Sequence, residues 1–145
     1  MDRKTAKKLS ECTCFNLRKA SRAVTQMYEA ALEPAGLRAP QFGILAAVAA
    51  TKSVTITRLA EILVMDRTTL TRNLKPLTSR RLVKVLPGAD RRSKKVELTK
   101  KGSETLLRAV PLHKGAQARI ESGLDGQWPN MLSDLTRLIR VAQKS

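Results

Sequence analysis

Few residues in this chain carry side chains suited to bond-making chemistry. Cys12 and Cys14, in "ECTCFNLRKASRAVTQMY" (11–28), are its two cysteines, and His113 is its one histidine. Two thiols and one imidazole leave zinc short of four sensible ligands, so no metal site is expected. On a single helix, cysteines two apart point about 200° from one another and cannot join without unwinding it. Cys14 shares a face with Leu17, which suits a small buried apolar residue. It also suits a reactive thiol, because Arg18, one turn on, is placed to lower its pKa. The chain has no glycine-rich phosphate loop and no nucleophile or metal-ligand spacing, so it reads as a non-enzyme without a cofactor.

The stronger signal is electrostatic. "PGADRRSKKVELTKKG" (87–102) places six cations beside two acids. Across the whole chain, 28 Lys and Arg stand against 12 Asp and Glu, a net charge of +16. Residues 66–102 hold twelve cations and three acids, net +9, so a quarter of the chain carries more than half the excess. Charge concentrated in this way opposes compaction and points to a polyanionic partner.

These residues need elements to hold them. A length of 145 residues suits one domain with a core of its own. The longest apolar run, "FGILAAVAA" (42–50), falls far short of the ~20 residues that span a bilayer. No apolar core or cleavage site follows the basic amino terminus, so a cytoplasmic protein is expected. Leu17, Ala20, Val24, Met27 and Ala31 recur at helical spacing, which predicts one long helix over 8–33. "EPAGL" (33–37) ends it, and Pro40 opens a central, buried second helix. Residues 54–83 predict two short helices in a helix-turn-helix. Thr55 caps the first, with Ile56, Leu59, Ala60 and Ile62 inward; Asp66 caps the second, with Leu70, Leu74 and Leu77 inward. A hairpin follows over 82–98, with Pro87-Gly88 beginning its turn. Thr99 then caps a helix over about 100–122, kinked near Pro111. Asp125 caps a last helix with Trp128, Met131, Leu132, Leu135, Leu138, Ile139 and Ala142 on one side.

On the second helix of the helix-turn-helix, Thr68, Arg72, Lys75 and Ser79 lie opposite the leucines, flanked by Thr69 and Thr71, with Arg67 at the start. Short hydroxyls backed by cations suit the major groove of duplex DNA, where Thr meets base edges or thymine methyls and Arg takes guanine acceptors. A hairpin beside that helix reaches the adjacent backbone or minor groove, where Arg is favoured. Arg91 or Arg92 projects there, Asp90 holds an arginine by a charge-assisted hydrogen bond, and Lys94 and Lys95 sit near phosphates.

"LAEILVMDRTTLTRNLKPLTSRRLV" followed by "GADRRSKKVELTKKG" resembles the MarR-type winged-helix regulators, above all in Asp90-x-Arg92, Leu98-Thr99 and Gly102. With "AGLRAPQFGIL" upstream and helices at both ends, the resemblance covers nearly the whole chain. It implies a mainly α fold with a small β-hairpin: a winged unit over about 54–99, and dimerisation helices over about 8–33 and 100–143. It further implies a homodimer on a pseudo-palindromic operator, with Arg92 in the minor groove and Asp90 positioning it. Two departures stand out. Val64 replaces a common turn glycine, and Arg38 replaces a common Thr before the second helix.

A winged unit cannot by itself cover the apolar stripes of three further helices, which agrees with a dimer. A two-fold dimer sets two recognition helices about 34 Å apart on DNA. The reading is a sequence-specific repressor released by a small-molecule effector; family members often take an aromatic acid, and Arg18, Tyr28 and Gln41 are the candidate pocket residues. The alternative is a thiol-based repressor. Cys14-Phe15 and Tyr28 are similar to the organic-hydroperoxide-sensing branch, although Arg18 and Ala39 replace two of its tyrosines. About 21 Å of helix separates Cys14 from Tyr28, so they meet only across a dimer. A basic protein that coats DNA without preference is a further reading.

Overall fold

The computed structural model describes residues 2–144, and its centre is a helix, α3 (Ala39–Thr51), on which Ile44, Leu45 and Val48 are fully buried. Before it in the chain come α1 (Arg3–Ser10), α2 (Thr13–Leu32) and a 3-10 turn (Glu33–Ala35). After it come β1 (Ser53–Thr55), α4 (Ile56–Ile62), α5 (Arg67–Ser79), β2 (Val83–Pro87), β3 (Lys94–Leu98), α6 (Lys100–Gly123) and α7 (Trp128–Gln143). Around α3 gather Leu32, Leu37, Leu59, Leu70, Leu74, Leu77, Leu82, Val83 and Val96, contributed by nearly every neighbouring element. Among the described residues, no helix is long and apolar enough to cross a membrane.

The mainly helical architecture with a hairpin is as expected, and several details differ. The hairpin has a third strand. β3 lies between β1 and β2, with Val54 opposite Val96 on one side and Val85 opposite Val96 on the other. The expected helix over 8–33 is broken. Ser10 Oγ donates to the Lys7 carbonyl, Cys12 leaves the helical conformation, and Asn16 Nδ2 donates to the Ser10 and Cys12 carbonyls. Ser, Cys, Thr and Asn cluster here, and short polar side chains compete for backbone groups. Ile62, expected inward, is 41% exposed, and Leu63 packs on the core in its place. Asp125 does not cap the last helix. It takes a positive φ of 46°, Gly126 follows at 80°, and the helix starts after Gln127.

Three caps are as the sequence implies. The side-chain oxygens of Thr55, Asp66 and Thr99 accept from the amides of Arg58, Thr69 and Gly102. α5 continues to Ser79 through Pro76, whose ring removes the hydrogen bond that the Arg72 carbonyl would accept. At the turn between α4 and α5, Val64 holds φ at 52°. That region suits glycine and costs a β-branched residue on the order of 1–2 kcal/mol. The Met65 amide donates to the Ala60 carbonyl at 2.9 Å, which closes the turn in this conformation.

Where the hairpin meets α6, the backbones touch. A Cβ on Gly102 would lie 1.9 Å from the Leu82 carbonyl oxygen, so only glycine fits. We predict that Gly102→Ala costs about 2–3 kcal/mol by overpacking, read as a lower urea midpoint; an unchanged midpoint would contradict this packing. Asp66 gives a second prediction. The Thr69 hydroxyl first, and its amide second, hold the Asp66 carboxyl below its ordinary 3.8. The resulting stabilisation is complete above 3.8 and is lost as pH falls through the lower folded value. Wild type should therefore lose more stability than Asp66→Asn on acidification from about pH 5 to about pH 3.

Candidate nucleic-acid interface

α5 buries Leu70, Leu74 and Leu77 against the core, and this fixes which side faces out. Arg67, Thr68, Thr71, Arg72 and Lys75 are exposed on that side. With Thr78 and Ser79 they border an open groove of about 720 Å³, closed on its far side by Val85 and Lys94 of the hairpin. No acidic residue lines it. Leu74 and Ile56 form its floor, so the cations stand at the rim of an apolar trough.

A smaller cleft of about 160 Å³ joins the hairpin tip to the start of α4, lined by Thr55, Ile56, Thr57, Arg67, Asp90, Arg92, Ser93 and Lys94. Arg67 and Lys94 border both spaces, so the face of α5 and the tip form one continuous surface. The start of α4 was not expected at this surface. It arrives there because β1 pairs with β3, which sets Thr55 opposite Lys95.

The structure revises the expected role of Asp90. Its carboxylate does not hold a guanidinium. Instead Oδ1 accepts from the amides of Arg92 and Ser93 at 2.7 and 2.8 Å. The Gly88 amide donates to the Ser93 carbonyl at 2.8 Å, and a Cβ on Gly88 would strike the Ser93 side chain. Asp90 therefore shapes the loop, and the shaped loop leaves Arg91 and Arg92 exposed.

Two other residues are placed differently from their neighbours. Lys95 alternates with Lys94 and Val96 along β3 and so lies on the opposite sheet face, beside Glu97. Glu97 pairs with Lys84 at 3.0 Å, and that pairing, followed by Ser53, holds its carboxyl below the usual range. Thr69 spends its hydroxyl on Asp66 at 2.6 Å, leaving Thr68 and Thr71 as the threonines with outward hydroxyls.

Of the candidate effector residues, Gln41 is engaged apart from the other two. Gln41 Oε1 accepts from the Arg38 amide at 3.1 Å and serves as a cap for α3, while Arg38 itself pairs with Glu29 at 3.2 Å. Arg18 lines a shallow groove with Leu17, Ser21 and Arg22. Tyr28 borders a neighbouring space that shares Leu17 and Ser21 with this groove. Its hydroxyl donates to Gln117 Oε1 at 2.5 Å, and Gln117 Nε2 donates to Glu121 at 2.8 Å. Burial first, and Glu121 second, raise the Tyr28 pKa. His113 stacks on Phe42 with 4.4 Å between centroids and tilts against Tyr28 at 5.1 Å, and burial lowers its pKa. Tyr28 and Gln117 also border an apolar cavity of about 280 Å³ between α2, α6 and α7.

The cysteines differ from expectation as well. Cys12 is the non-helical residue preceding α2, so the two do not oppose one another across a single helix. Cys14 is exposed, as is Cys12, and neither is a buried apolar residue in the protomer. The described residues contain no cluster of three or more metal-binding side chains.

Helix α7 buries no residue. Met131, Leu132 and Ile139 remain 38%, 49% and 45% exposed, and Phe15, Leu17 and Val24 of α2 are similarly uncovered. Their spacing matches apolar stripes on both helices.

Comparison with known proteins places these features. The pattern describing the MarR family matches residues 35–93, from the 3-10 turn through the hairpin loop. The chain is 41% identical to the Mycobacterium tuberculosis transcriptional regulator MosR, solved in complex with DNA; the match covers 92% of this chain and 97% of that one, with a TM-score of 0.86. The transcriptional repressor CouR, solved on a 23-mer DNA duplex, is 29% identical over 93% of this chain and 95% of its own, with a TM-score of 0.77. Escherichia coli MarR bound to operator DNA shares the fold at 23% identity, covering 85% of this chain and 89% of that one, with a TM-score of 0.76. No curated protein sequence matches. Near-complete coverage at 41% identity, together with the family pattern across the helix-turn-helix and hairpin, shows that the chain belongs to the MarR family of transcriptional regulators.

Proposed function

We propose that the chain acts as a dimeric, sequence-specific DNA-binding repressor that leaves its operator when a small organic effector binds. The observation that carries this reading is the acid-free groove between α5 and the hairpin, rimmed by Arg67, Arg72, Lys75 and Lys94. In it Thr68, Thr71 and Arg72 read base edges in the major groove, Lys75 and Lys94 meet phosphates, and Arg92 enters the adjacent minor groove. MosR and CouR, solved on DNA, support the same use of the fold. With DNA as its partner, we place the chain in the cytoplasm. A second copy covers the stripes of α2 and α7 and sets the two grooves about 34 Å apart.

An effector seat in keeping with this reading is the apolar cavity bordered by Tyr28 and Gln117, between α2, α6 and α7. A molecule there would displace or exploit the Tyr28–Gln117 hydrogen bond.

The test is a binding titration at about 150 mM salt on duplex from the region upstream of the gene against a scrambled duplex. The specific duplex should win by at least ~10³, and Arg92→Ala should lose most of that affinity while melting like wild type. Equal affinity for the two duplexes would instead favour coating without preference.

A second reading is release by organic hydroperoxide through Cys14, whose thiol is uncovered in the single protomer. Under it, peroxide frees the duplex from wild type and leaves Cys14→Ser bound. Equal release from the two proteins would remove it.

A further inference from the structure

The foot of the hairpin, opposite its tip, gathers a second set of cations. Arg80 and Arg81 follow α5 there, and Lys100 and Lys101 begin α6. The junction is tied by Thr99 Oγ1, which donates to the Arg81 carbonyl at 2.6 Å, and by Lys101 Nζ, which donates to the Arg80 carbonyl at 3.0 Å. Arg81 and Lys100 are exposed. Among the described residues, none of the four forms an ion pair, and neither does Glu104 one turn further along α6.

Folding alone does not favour this arrangement. Arg81 holds φ at 57°, a conformation that glycine takes without cost and side chains do not. Lys100 and Lys101 occupy the first turn of α6, where the helix dipole is positive and repels them. Four cations without a counter-charge in one place repel each other besides. An anion offsets both the dipole and the mutual repulsion.

The position identifies the anion. Ser79, the last residue of α5, lines the groove, and Arg80 follows it directly. The 13 residues of α5 span about 20 Å, while the major groove is about 12 Å wide. A helix that presents its amino-terminal residues to the bases must leave the groove at its other end, beside the sugar-phosphate backbone. We propose that Arg81 and Lys100, with Arg80 and Lys101 behind them, form a second phosphate-binding surface on the same duplex, separate from the α5 face and the hairpin tip. The proposal rests on the DNA-binding reading above, and extends it from base recognition to the backbone flanking each half-site.

The test is the salt dependence of duplex binding by Arg81→Gly/Lys100→Gln. Glycine suits the backbone at position 81, so the variant should melt at or above the wild-type temperature; should it fail to fold, Lys100→Gln alone gives the same readout at half the size. Removing one cation from a phosphate lowers the slope of log K against log salt by about 0.9, so a dimer deprived of two such pairs per protomer should fall by roughly 3 to 4. Lys4→Gln/Lys7→Gln serves as the charge-matched control. Its cations lie on α1, beyond the 20-residue α2, about 30 Å of helix from the core, and its slope should match wild type. The fall should appear equally on upstream and scrambled duplexes, which separates this proposal from the repressor reading: loss of preference between duplexes sinks that reading and leaves the slope to judge this one. A wild-type slope would overturn the proposal and leave the patch to an acidic protein surface. An equal fall in the α1 control would overturn it as a bulk-charge effect.

Discussion

Mutual repulsion among cations is the force that the rest of this molecule must resist. Residues 66–102 hold net +9, and they are useful to a polyanion only if held at fixed positions. The restraint comes from one strand. β3 is bonded on both sides, to β1 and β2, and Val96 at its middle is fully buried. At its end Thr99 caps α6, bonds the Arg81 carbonyl and lets Gly102 press against Leu82. At its start Asp90 gathers two amides and sets the tip. The charge is thus carried on a frame whose stiffness comes from burial and backbone hydrogen bonds, which salt does not screen as it screens charge pairs.

The same frame connects to the long helices through a small polar and aromatic junction. Phe42 of α3, His113 and Gln117 of α6, and Tyr28 of α2 meet there. Under the proposed function this junction has a direct use. α2, α6 and α7 join two subunits, α3 supports the winged unit, and a ligand that repacks Tyr28 would alter the angle between them. Two recognition helices about one DNA turn apart tolerate little change of that angle. A ligand switches such a protein only by binding one arrangement of the junction more tightly than another.

What was legible in the sequence was local. Thr55, Asp66 and Thr99 are caps because each precedes an apolar helical period and its oxygen reaches an amide three residues on. Asp125 carries the same signal and fails, because Gly126 lets the chain turn left-handed before the helix begins. β1 was not legible. Its three residues hold no pattern of their own, and it exists through pairing with residues 95–97. The role of Asp90 was visible as a residue and not as a partner, since a carboxylate between an alanine and two arginines does not announce that it will choose amides. Arg18, Tyr28 and Gln41 were chosen by side-chain chemistry, which does not reveal what each is already bonded to. Each fits a ligand chemically, but Gln41 is taken by a helix cap, while Arg18 and Tyr28 border adjoining spaces that share Leu17 and Ser21.

Under the proposed function, two copies of α5, each with its hairpin, grip one side of a duplex in fixed register. Hydroxyl-radical footprinting on the upstream duplex reads that register. Two protected stretches are expected on one face of the DNA, centred about 10 base pairs or a whole multiple of that apart, with protection extending outward where the hairpin tips lie. Even protection along the duplex, without helical phasing, would contradict it.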